Sequence, residues 1–163
     1  MKVMGSKLTI ISIFLLIFSL SARCQTNENY PDTINKKRLN TVIYTSAGLY
    51  TATLGVLYLG WYKDNESSSF HWHNDNKAWL QVDKIGHATT AYIMSNYAYW
   101  SLRWAGVDNN KSALYGGLMG WTAMTIIEIL DAFSAEYGAS PADLIANTAG
   151  VAFFTGQQLL WKE

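Results

Sequence analysis

Four apolar stretches, each about as long as a lipid bilayer is thick, dominate this 163-residue chain and leave it few folds to adopt. They run from about Leu39 to Trp61, from Lys84 to Trp104, from Ser112 to Phe133 and from Pro141 to Trp161. Strands rarely exceed about ten residues, so segments of this length read as helices. Ser140-Pro141 gives the fourth a sharp start, with serine as cap, proline at the first helical position and Asp143 placed to support the cap. Gly106 and the Asp108-Asn109-Asn110 turn close the second helix, and Gly138 separates the third from the fourth. These short connections make the last three helices antiparallel neighbours. The expected fold is all-α, a small bundle of four apolar helices. Residues 62–82 form the one long connection, read as a solvated loop with surface aromatics that could act as a lid or a partner surface.

An N-terminal signal peptide precedes the bundle. Lys2 and Lys7 supply its positive start, Leu8 to Leu20 its apolar run, and Ala22-Arg23-Cys24 a cleavage site before Gln25, so the leader is assigned to residues 1–24. The apolar run is shorter than the roughly 20 residues a span requires. Cys24 stands where a bacterial lipoprotein carries its acyl chains, but Arg23 replaces the small residue expected before it. The expectation is ordinary cleavage, after which neither a cysteine nor a disulfide is left. Residues 25–38 form a polar lead-in, and residues 39–163 the bundle.

Only 15% of the residues are charged, the formal net charge is zero and no long basic run occurs, which excludes a nucleic-acid partner. Charge placement bears on the membrane. Four spanning helices after a cleaved leader would put Lys36, Lys37, Arg38, Arg103, Lys111 and Lys162 outside and Lys63, Lys77 and Lys84 inside, the reverse of the usual bias. A bundle resting on a periplasmic membrane face, or associated with the outer membrane, removes the conflict. Its abundant tyrosine and tryptophan suit such an interface. The expected location is therefore the cell envelope, with periplasm or outer membrane favoured over inner membrane.

Several polar side chains interrupt the apolar helices, and each must find a partner or serve a chemistry. Asp83 and His87 are four residues apart on one helical face, so the carboxylate can orient the imidazole as a general-base pair requires. The alternative is a capping Asp83 and a satisfied core histidine. Glu128 lies between Ile126-Ile127 and Ile129-Leu130, on one face with Gly116, Gly120 and Met124, and a buried glutamate needs a partner. His87, Asn147 and Lys84 are the candidates. Asp131, one turn further on, is either a second member of the site or a helix-end acid facing water. Asp143 reads as part of the cap, while Asn147 reads as a hydrogen bond across the bundle. The Gly116-x-x-x-Gly120 spacing allows close backbone approach. His71-x-His73-x-Asp75 has metal-ligand spacing but lacks a fourth ligand, so no metal is expected. No motif for a cofactor, a nucleophile or a phosphate cradle is present.

The pattern Asp83-Lys84-x-x-His87, then Tyr92, Ile127-Glu128 and Asp143-Leu144-x-x-Asn147-Thr148-x-Gly150, resembles the VanZ-like membrane proteins. The chain is more similar to the YfiM-like predicted periplasmic lipoproteins of unknown function, through the stretch Thr125 to Ala135 and the ending Gly156 to Glu163, over about residues 75–163. Either resemblance implies a small helical envelope protein without a defined activity. The chain departs from the VanZ-like pattern at Asp131, where glutamine is usual, and has no arginine between Arg103 and Lys162.

Two functions follow. One is a noncatalytic envelope component that binds membrane lipid or an envelope protein, with the polar cluster fixing helix register. The other is an enzyme acting on an envelope lipid or glycolipid, with His87 as base, Asp83 orienting it and Glu128 as acid or metal ligand. The missing nucleophile and cofactor motifs favour the first.

Overall fold

The computed structural model describes residues 30–31, 33–75 and 81–161. The leader, Cys24, Lys77, Lys162 and most of the lead-in lie outside them. Helix α1 covers Lys36–Leu57 and continues through a π-helical turn at Tyr58–Tyr62. It begins three residues before the apolar stretch because Asn35 caps it, its side chain accepting from the Arg38 backbone N–H at 3.1 Å. Helix α2 covers Val82–Trp104, α3 Asn109–Ala132 and α4 Pro141–Trp161. Asp108 caps α3 by accepting from the backbone of Asn110 and Lys111, and Ser140 Oγ caps α4 by accepting from Asp143 N at 3.3 Å. The all-α bundle expected from the sequence is the fold observed.

The bundle is uneven. Helices α2, α3 and α4 close tightly on one another because small residues line their contacts. A Cβ added at Gly116 would lie 2.8 Å from Ser95 O, one at Gly120 2.8 Å from Ser95 N, and one at Gly150 only 2.0 Å from Ala88 O. The backbones touch there, as the glycine spacing implied. Tyr99, Ala113 and Phe154 fill the centre, with Tyr92, Trp100 and Leu159 packed around them.

Helix α1 stands apart and is held at three points. Val42 and Leu39 pack on Leu102, Ala105 and Val107 near its start, Tyr50 OH donates to Ala123 O at 2.7 Å near its middle, and Tyr62 OH hydrogen-bonds Asp131 at its end. Val42 is its one buried residue, while Ile43, Leu49, Val56 and Leu59 are exposed.

The long connection keeps Phe70 and Trp72 at the surface, as expected, but its backbone is docked rather than free. Residues 66–73 run along the α3–α4 connection and exchange backbone hydrogen bonds with it, Ser68 N to Phe133 O at 2.8 Å, His71 N to Ala132 O at 3.1 Å, and His73 N to Ala139 O at 2.9 Å. The two connections satisfy each other's backbone groups over the end of the bundle, which a loop in water would leave to solvent. Gly138 makes the docking possible. Its φ is +118°, and a Cβ there would lie 2.7 Å from His73 Cβ.

The bundle therefore has two unlike ends. The open end carries Lys36, Lys37 and Lys111, with Arg38 over the Trp104 ring at 5.0 Å and Arg103 over the Tyr30 ring at 4.9 Å. The loop-covered end carries Asp75, Asp83, Glu128, Asp131 and Asp143, with Lys84 among them.

Candidate functional site

Antiparallel packing puts the start of α2, the end of α3 and the start of α4 side by side under the docked loop. That arrangement brings together Asp83, Lys84 and His87 from α2, Glu128 and Asp131 from α3, and Asp143 and Asn147 from α4.

His87 is at the centre. Its Nδ1 lies 3.2 Å from Asn147 Oδ1 and 3.4 Å from Glu128 Oε1. With the Asn147 oxygen accepting, Nδ1–H is the donor, and in the neutral ring Nε2 then carries the lone pair. On the other side Nε2 faces Asp83 Oδ1 at 3.7 Å and Asp143 Oδ2 at 4.0 Å. Lys84 ties the remaining oxygens together: its Nζ lies 3.1 Å from Asp83 Oδ2 and 2.8 Å from Asp143 Oδ1 and is also ion-paired with Asp75. Glu128 is 2% exposed and accepts from the backbone N–H of Ser140 at 3.0 Å. Asp131 is half-buried and accepts from Tyr62 OH.

The electrostatics follow from burial set against partners. Burial raises the Glu128 pKa to about 7, although the Ser140 N–H and His87 both pull it down. Burial also raises Asp131, against the Tyr62 hydroxyl, and Asp143, against Lys84. Burial works in the same sense on Asp75, but the hydrogen bonds from Lys84 and Ser140 outweigh it and hold that carboxyl at about 2. Burial disfavours the Lys84 charge, yet its bonds to Asp143, Asp75 and Asp83 outweigh this and hold it above the ordinary lysine value.

Two expectations about capping need correction. The residue before α2 is Gln81, in the left-handed region at φ +66° with no side-chain cap bond, and Asp83 in the first turn points to Lys84 and His87 instead. At α4 the serine does the capping alone, which frees the Asp143 side chain for Lys84. Sequence reasoning missed Asp75, Tyr62 and the second role of Ser140, whose hydroxyl donates to Asp75 Oδ1 at 2.8 Å. Asp75 was noticed only as the third member of His71-x-His73-x-Asp75. The fold separates that triplet: His71 Nδ1 lies near Ser68 Oγ and Ser69 O, while His73 and Asp75 line the cleft.

That cleft, about 690 Å³ in volume, opens beside His87 and is lined by six carboxyl groups, those of Asp75, Asp83, Glu128, Asp131, Glu136 and Asp143. Among the described residues, no lysine or arginine lines it. Among the described residues, Asp83, His87 and Asp143 form the one group of three ligand-type side chains with ligand atoms within 4.8 Å of one another.

Residues 70–157 match a family described as predicted periplasmic lipoprotein, a domain of unknown function (DUF2279). The chain belongs to that family. The matched stretch contains every residue of the cluster except Tyr62, and it excludes α1. Membership places the protein in the cell envelope. No curated protein and no solved structure matches the chain.

Proposed function

We propose that this family member is a noncatalytic, membrane-associated component of the cell envelope, in which α1 is the lipid contact and the polar cluster locks three core helices beneath the docked loop. One contrast carries the reading. Among the described residues, two helical segments, Lys36–Tyr62 and Asn109–Ala132, are long and apolar enough to cross a membrane, with the same mean hydropathy of 1.3. In the second, 39% of the apolar window is buried inside the protein, but in the first only 6% is. The second is a core helix, whereas the first is left largely uncovered by the described residues.

Magnitudes show why α1 needs a cover. Ile43, Leu49, Val56 and Leu59 are all more than half exposed. Fully burying one such side chain is worth about 1.5–3 kcal/mol, so the four together represent a sum comparable to the roughly 5–15 kcal/mol by which whole domains are stable. Acyl chains remove that penalty along the entire helix. The flanks fit an interface as well, with Lys36, Lys37 and Arg38 at one end and Tyr58, Trp61 and Tyr62 at the other.

The test is fractionation of tagged protein into inner membrane, outer membrane and soluble periplasm, with a mass determination of the mature N-terminus. Wild-type protein is expected in a membrane fraction, resistant to salt and released by detergent, and the double variant Leu49→Lys/Val56→Lys is expected to move toward the soluble pool with its core helices intact. Recovery of the wild type as soluble protein refutes the proposal. The N-terminal mass separates anchoring by acyl chains on Cys24 from contact through α1.

A further inference from the structure

We infer that Asp83, His87 and Asp143 form a binding site for one divalent transition-metal ion, with its open coordination positions facing the acidic cleft. The three side chains turn lone pairs toward one point. In the neutral ring whose Nδ1–H donates to Asn147, Nε2 carries no proton, and it faces Asp83 Oδ1 at 3.7 Å and Asp143 Oδ2 at 4.0 Å. Those separations are too long for hydrogen bonds. Around a zinc-like ion with bonds of about 2.0–2.2 Å, adjacent donors lie roughly 3.0–3.5 Å apart, so the three ligand atoms, all within 4.8 Å of one another, close on an ion by side-chain shifts on the order of 1 Å.

The surroundings are arranged as a second layer of such a site. Each aspartate gives one oxygen to Lys84 and presents the other to His87, so the lysine orients both carboxylates without standing between them and the imidazole. Glu128 and Asn147 orient the imidazole from behind, the arrangement that fixes the tautomer of a metal-binding histidine. The Asp143 side chain is only 6% accessible, and its Oδ1 is held by Lys84 at 2.8 Å, which leaves Oδ2 to face His87. The amide nitrogen of Asn147, which is wholly buried, is without a hydrogen-bond partner. One lysine cannot neutralise the carboxylates gathered here, and a divalent cation supplies the missing charge.

One imidazole nitrogen with two carboxylate oxygens selects zinc or manganese over magnesium or calcium, which take oxygen ligands. Three protein ligands leave positions open on the cleft side, where water or an anionic group of a ligand can bind. The assignment is independent of where the protein sits, because the site lies on the core helices and not on α1.

The test uses the full chain in detergent micelles, stripped with chelator and titrated with Zn²⁺, with metal content and Co²⁺ absorption as second readouts. One equivalent of Zn²⁺ is expected per chain, with Co²⁺ giving the d–d bands of a low-coordinate site. His87→Gln should abolish binding. Asp83→Asn should weaken it at least tenfold, and because the Asp83 side chain is 41% accessible that variant retains its fold, checked by circular dichroism. His71→Ala/His73→Ala should bind as the wild type does. Absence of stoichiometric Zn²⁺, Mn²⁺ or Co²⁺ overturns the inference, as does binding that survives Asp83→Asn and His87→Gln. Displacement of Zn²⁺ by equimolar Mg²⁺ or Ca²⁺ overturns the choice of ion class.

Discussion

Gly150→Ala tests the link between close helix packing and the site. The added Cβ would lie 2.0 Å from Ala88 O, 2.8 Å from Ala88 C and 3.0 Å from Ala88 Cα, all backbone atoms that no rotamer change can move aside. Relief to an ordinary contact of about 3.4 Å requires α4 and α2 to part by roughly 1.4 Å, and gaps of that size forfeit about half or more of each contact along the seam. Overpacking of this kind costs about 1–3 kcal/mol, and the better helix propensity of alanine returns about 1 kcal/mol. The expected net loss is up to about 2 kcal/mol, a fall in Tm of as much as roughly 8 °C for a chain of this size. Gly150 continues the buried stripe of α4 that includes Asp143 and Asn147, and Ala88 adjoins His87, so parting the helices also widens the gap between Nε2 and Asp143. Gly156→Ala is the control. Nothing lies within 4 Å of a Cβ at Gly156, so the same substitution there should leave Tm unchanged or raise it. Thermal unfolding in detergent of the two variants beside the wild type decides the matter: a Gly150→Ala protein as stable as Gly156→Ala would refute the close-packing argument.

Glu128 predicts a pH dependence of known sign. Its pKa rises from 4.5 to about 7 on folding, so the folded chain holds the proton more tightly; stability is complete below pH 4.5 and declines as pH climbs through 7. In chelator-treated protein Glu128→Gln should gain on the wild type between pH 5 and 8, by at most about 3 kcal/mol, and parallel denaturation curves at the two pH values would contradict this. Asp75 works in the opposite sense, since its depressed carboxyl contributes stability above pH 3.8 that is lost as pH falls through about 2. Asp75→Ala should also free the docked connection, raising amide hydrogen exchange at Ser68, His71 and His73 while core helix amides stay protected. Gly138→Ala should do the same by a different route, because alanine at φ +118° is strained by about 1–3 kcal/mol and its methyl meets His73; unchanged exchange at His73 would show that the connection does not depend on that turn.

Local relations were legible in the sequence, and relations between distant segments were legible only where a buried charge demanded them. The start of α4 at Pro141 follows from Ser140-Pro141, and the close approach of α3 follows from Gly116 and Gly120, because capping and helical spacing are set by residues a turn apart. His87, Asn147 and Lys84 were named as candidate partners for Glu128, and the fold selects His87 and the Ser140 backbone N–H. What could not be read was the contribution of residues 62–75. No periodicity marks that segment, and its position comes from backbone hydrogen bonds, which are blind to side-chain identity. Asp75 therefore reached Lys84 and Ser140 unannounced, and Tyr62 reached Asp131.

The same blindness bears on how the cluster works. Asp83 and Asp143 look like capping residues from their neighbours alone, yet Ser140 caps α4 unaided and α2 starts without a side-chain cap. Both aspartates are thereby released from helix-end duty and converge, with Lys84 between their outer oxygens and His87 between their inner ones. A purely structural cluster would be better served by neutral hydrogen bonds, since removing several carboxylates from water around one lysine costs more than their pairing returns. The surplus acid is intelligible if a cation completes the group. Stripping that cation should then lower the stability of the core helices, while Zn²⁺ restores it by the amount its affinity and concentration dictate, about 2.7 kcal/mol at a hundredfold excess over Kd. A melting temperature indifferent to chelator and Zn²⁺ would mean that the carboxylates are tolerated without one.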